Sequence, residues 1–152
     1  MQTLQHWSDT SAFFIWLRES PSILAYPTVF FVHTLGLVLT AGMSLVVSAR
    51  MLGVAPALPM APFARLFRVA WTAFWVTAVS GAIMLGADPQ TKLVNPVFPV
   101  KMVLVAAAVV LLLALRPRVE RASTSASTRA LALGCLLCWL GAVAAGKFMA
   151  YF

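Results

Sequence analysis

Apolar residues fall along this chain in four long runs, at 23–47, 67–87, 97–115 and 131–152. Each meets the roughly 20 predominantly apolar residues that a helix needs to cross a hydrocarbon core. The pattern predicts four spanning helices that consume most of the chain. They form a single domain, 1–152, with no room for a soluble catalytic module.

Within the runs, small residues recur at steps of four, which keeps them on one helix face. The first run carries Gly36, Thr40, Ser44 and Ser48, the second Ala73, Thr77 and Gly81, and the fourth Gly134, Cys138, Ala142 and Gly146. In lipid, helices associate through close packing of such small residues. The expected fold is therefore all-α: an integral membrane antiparallel four-helix bundle with short connections. Ahead of it, Met1 to Ser11 lacks a basic n-region and Ala12 to Leu17 is too short for an h-region, so no cleaved leader is expected. Trp7, Phe13, Phe14 and Trp16 instead predict a short N-terminal helix lying in the interface, where aromatic rings are favoured.

Composition agrees with this pattern: 62% of residues are hydrophobic and only 10% charged. The net charge of +7 does not imply nucleic acid, because the basic residues do not gather in one patch. They lie at helix ends, where they set topology and meet anionic membrane lipid. Arg50, Arg65 and Arg68 flank the first connection; Arg116, Arg118, Arg121 and Arg129 flank the third, against Glu120 alone. The middle connection, with Asp88 and Lys92, is close to neutral. The positive-inside rule then places the first and third loops in the cytoplasm and both termini outside, periplasmic in a bacterial inner membrane.

The chemistry centres on His33. An imidazole inside a spanning helix is costly to keep there, which makes it a functional-site candidate. Stepping back from Gly36, His33 and Tyr26 share the small-residue face, so His33 points toward the bundle interior, roughly 10 Å below the outer surface. Lys101, at the start of the third span, and Lys147, near the end of the fourth, fall at similar height, as do Met84, Met102 and Met149. His33 is either a buried imidazole bonded to a neighbour such as Tyr26, or an axial ligand to the iron of a haem b. His6, Met84, Met102 or a lysine are then candidates for the second axial position. The lysines either snorkel to headgroups or supply positive charge to haem propionates or a quinone oxygen. Cys135 and Cys138 lie on nearly one face of a spanning helix, as packing residues and not as a redox pair. Trp71, Trp75 and Trp139 are expected to pack within the bundle.

The stretch Tyr26-Pro27, His33-Thr-Leu-Gly36, Gly42 and Arg50-Met-Leu-Gly53, followed by Asn95-Pro-Val-Phe98 with Lys101, and the close Trp139 with Gly146-Lys-Phe-Met-Ala-Tyr151, resembles an uncharacterised family of small bacterial four-helix inner-membrane proteins. More distantly the plan is similar to HemJ-type protoporphyrinogen oxidases and to the membrane domain of copper-resistance D proteins. That likeness implies a tetrapyrrole ligand, with His33, Arg50 and Lys101 as the carried-over positions, and admits porphyrinogen oxidation as an activity. Ser48-Ala49 and Phe30 stand where the family has acidic residues, and Lys147 where it has arginine.

The functional expectation is a haem- or quinone-binding electron-transfer subunit, with His33, Tyr26, Lys101, Lys147 and Arg50 as site residues. Its partners would be other membrane subunits or a second copy. The competing expectation is a cofactor-free structural or anchoring subunit of a larger membrane complex.

Overall fold

A computed structural model of the chain describes residues 2–149 and Tyr151. Two short helices, α1 (Gln2–Thr10) and α2 (Ala12–Glu19), precede α3 (Tyr26–Met51) and α4 (Ala61–Ala87). A short α5 (Pro89–Val94) leads into α6 (Val97–Glu120), and α7 (Ala126–Phe148) closes the chain. The four long helices, α3, α4, α6 and α7, are each long and apolar enough to cross a membrane. They pack as an antiparallel four-helix bundle, with α3 between α4 and α7, and α6 against α7 and more lightly against α4. The protein is thus a small multi-pass membrane protein whose outward faces meet lipid.

Helix ends depart from the apolar runs for local reasons. The first run begins at Ile23, but the Ser20 and Ser22 hydroxyls accept the Ser22 and Leu24 N–H groups, so a turn precedes the helix. Pro27 then occupies its first turn, where the missing N–H costs nothing. At the other end α3 continues to Met51 and stops at Gly53, whose φ of 102° suits a residue without a side chain. Ser125 begins α7 by accepting the Thr128 N–H, five to six residues ahead of the apolar run. Of the fourth run, 131–152, Ala150 and Phe152 lie outside the described residues.

The small-residue face of α3 is buried throughout: Gly36, Thr40, Ser44 and Ser48 all lie in the interior. Gly36 meets α4 so closely that a Cβ there would lie 2.5 Å from Thr77 Oγ1 and 3.1 Å from the Ala73 carbonyl oxygen. On α7, Gly134 and Gly141 face Leu111 and Leu104 of α6, and Gly146 faces Lys101.

The N-terminal segment is two helices where one was expected. Ser11 takes an extended conformation, and the break lets both helices fold against the C-terminal end of α4. Ser8 donates to the Gly86 carbonyl, Phe14 lies over Gly86, and Arg18 reaches the Ala87 carbonyl and Asp9.

Candidate functional site

Two apolar clusters divide the bundle along its length. The larger lies toward the arginine-rich end and joins Val47 and Met51, Phe63 and Phe67, Leu112 and Leu115, and Ala132 to Trp139. The smaller caps the opposite end, with Phe14, Leu17, Ala25 and Ala87. Between them is a band where the inward positions are small or polar: His33 and Gly36, Thr77 to Gly81, Lys101, and Gly146.

His33 lies in this band, half-buried against α4. Its Nδ1 is 3.0 Å from the Thr77 carbonyl oxygen and 3.2 Å from Ser80 Oγ. A carbonyl only accepts, so Nδ1 carries the proton. Ser80 already donates its single proton to the Val76 carbonyl at 2.6 Å, so toward the imidazole its oxygen is also an acceptor. The edge of the ring rests on Gly81, where a Cβ would come within 3.1 Å of it. Two acceptors and a glycine shelf fix both tautomer and plane. In the neutral ring Nε2 is left as a bare lone pair, and it has no partner among the described residues.

Lys101 approaches from the opposite side of the bundle. Its ammonium lies beside Gly146 of α7, with the carbon that a Cβ there would supply only 3.6 Å from Nζ. It makes no hydrogen bond among the described residues. Asn95 sets this register: its amide donates to the Met149 carbonyl at 3.2 Å, while its side-chain oxygen caps the Val97 N–H at 2.9 Å. The start of α6 is thereby tied to the end of α7. His33, on α3 and braced by α4, and Lys101, on α6 beside Gly146 of α7, thus bring an imidazole nitrogen and an ammonium to the same end of the bundle.

The other expected site residues are placed elsewhere. Tyr26 packs in the small end cluster beside Phe14 and Ala25 and is not the partner of the imidazole. Lys147, one residue past Gly146, is turned to the surface, where its ammonium sits 5.6 Å from the Tyr151 ring centroid. Arg50 belongs to the opposite end of α3, about 25 Å from His33 along the helix. Its guanidinium clamps the α3–α4 connection through the Pro56 and Leu58 carbonyls. Met84 is buried, Met102 faces outward and His6 is exposed. No group of three or more metal-ligating His, Cys, Asp or Glu side chains forms among the described residues.

Trp139 is fully buried, as its expected packing role requires, but Trp71 and Trp75 are not. They form an outward aromatic cluster with Phe74. Cys135 is buried against the Ala108 carbonyl, and both cysteines are free thiols.

Of the residues that hold His33, Thr77 and Gly81 were legible in the small-residue stripe of α4. Ser80 lies outside that stripe, and nothing in its sequence context marks it. The described open grooves run along the outside of α3 and α4, and His33 lines neither of them. No family model, curated protein or solved structure matches this chain.

Proposed function

We propose that this membrane protein is a redox-linked subunit that binds the headgroup of a quinone-type ligand between His33 and Lys101. The observation that carries the reading is the brace on His33: Nδ1–H is held by the Thr77 carbonyl, leaving Nε2 bare, while Lys101 makes no hydrogen bond among the described residues. A bound quinone supplies two-electron chemistry at two ring oxygens. Nε2 accepts a hydrogen bond, and with it a proton, from a ligand hydroxyl. The Lys101 ammonium donates to a ligand oxygen and favours negative charge there. The Thr77 carbonyl stabilises the imidazolium that results, in the manner of an orienting partner.

Haem b on His33 Nε2 is the second reading. A backbone carbonyl on Nδ1 is the usual outer partner of a metal-bound imidazole, and the likeness to tetrapyrrole-handling membrane proteins points the same way. The quinone reading is put first because it gives Lys101 as well as His33 a role. The arginine-rich end belongs in the cytoplasm by the positive-inside rule. In this reading the site lies toward the periplasmic face of a bacterial inner membrane, with electrons exchanged through another membrane subunit.

The test is solvent extraction and chromatography of quinones from detergent-purified protein, alongside an oxidised-minus-reduced visible spectrum. Near-stoichiometric quinone, lost in His33→Gln and Lys101→Met variants that keep their helical circular dichroism, is the expected result. A Soret band with sharp reduced bands, lost in His33→Ala, would establish the haem reading instead. Protein with neither ligand would leave the anchoring subunit.

A further inference from the structure

The outer surface of α3 and α4 carries a groove that the His33 site does not use. Its floor is set by Gly36 and Ala73, small residues that bring the two helices together, and its walls by Val32 and Val69. The groove has a volume of about 600 Å³ and is open along its side. At one end stand Arg65 and Arg68, three apart and so on one face of α4. The ion pairs among the described residues are Arg18–Asp9 and Arg116–Glu120, which leaves both of these guanidinium groups uncompensated. From Arg65 to Val76, the far end of the groove, is roughly 16 Å along the helix axis. That length matches one leaflet, about half of a 30 Å hydrocarbon core. A second groove overlaps the first at Val32, Thr72 and Val76 and is walled by Trp71 and Trp75.

We propose that this groove is a binding site for one anionic phospholipid from the leaflet at the arginine-rich end. Its phosphate lies between Arg65 and Arg68, and one acyl chain runs past Val69 toward Val76. Guanidinium groups recognise phosphate oxygens by paired, charge-assisted hydrogen bonds, and basic pockets between spanning helices at this level favour acidic headgroups. The same features disfavour a second copy of the chain. Pairing this face with itself in parallel would bring two arginine pairs together with no acid between them.

Tryptophan quenching by lipids brominated in the acyl chain tests the site directly, in nanodiscs of otherwise matched composition. Trp71 and Trp75 line the continuation of the groove, so brominated phosphatidylglycerol should quench more strongly than brominated phosphatidylcholine. The expected preference is tenfold or more in relative affinity, since a surface arginine contributes roughly fivefold. The Arg65→Gln/Arg68→Gln double variant should lose that preference. Trp71→Phe/Trp75→Phe should remove the selective part of the quenching, while Arg121→Gln/Arg129→Gln, at the same end but outside the groove, should leave it intact. Circular dichroism and gel filtration of each variant report whether the bundle survives. Equal quenching by the two lipids would overturn the proposal. So would an equal loss in the Arg121/Arg129 pair, or a dimer that buries this face and breaks apart in the Arg65/Arg68 variant.

Discussion

Replacing Gly36 by alanine adds one methyl group to a close contact between α3 and α4. The new Cβ would lie 2.5 Å from Thr77 Oγ1 and 3.1 Å from both the Ala73 carbonyl oxygen and the Thr77 amide nitrogen. Ordinary contact begins at 3.4 Å, so the shortfalls are 3.4 − 2.5 = 0.9 Å and 3.4 − 3.1 = 0.3 Å. Thr77 can relieve the first by rotating, at the cost of the 3.0 Å bond that its hydroxyl donates to the Ala73 carbonyl. The second involves backbone on both sides and is relieved only when α3 and α4 part. Overpacking of this kind costs about 1–3 kcal/mol, and in lipid close packing is a main source of helix association. Gly42 on the same helix is the control, since a Cβ there meets nothing within 4 Å. Both substitutions carry the same change in helix propensity, so their difference isolates the contact. Reversible unfolding in mixed detergent and sodium dodecyl sulfate micelles, followed by circular dichroism, should show Gly36→Ala less stable than Gly42→Ala by about 1–3 kcal/mol. Adding Thr77→Ala to Gly36→Ala should recover part of the loss, because only the 3.1 Å contacts then remain. Equal stability of the two single variants would refute the close α3–α4 seam, and with it the shelf on which His33 rests.

Ser125→Ala removes the hydroxyl that accepts the Thr128 N–H at the start of α7 and should cost about 1 kcal/mol in the same assay. Arg50→Ala frees the Pro56 and Leu58 carbonyls. Amide exchange in the α3–α4 connection should rise while ligand recovery at His33 is unchanged. A loss of ligand in that variant would return Arg50 to the site.

The bundle was legible because length and hydropathy alone determine which segments cross lipid, and steps of four among small residues mark faces that approach closely. Rotation was harder to read. Trp71 and Trp75 are apolar enough for an interior yet face outward, because in lipid the interior and the surroundings are equally apolar. Lys101 and Lys147 have the same character in sequence and similar height. They part only because Gly146 takes the position facing Lys101, which rotates its neighbour away. Arg50 has a plausible place in a motif, but its height on α3 sets it about 25 Å from His33 along the helix. The helix α3 also runs past the end of its apolar run: hydropathy marks where lipid stops, whereas Gly53 and its φ of 102° mark where the helix stops.

The most direct measurement is the ¹⁵N spectrum of the two histidines in nanodiscs, with His6→Gln assigning His33, before and after adding a short-chain quinol. The structure requires a protonated Nδ1 and a bare Nε2 in the neutral ring, and the proposed function requires the Nε2 resonance to move as quinol binds. A proton on Nε2 with Nδ1 bare, or an Nε2 resonance unmoved at saturating quinol, would contradict the account.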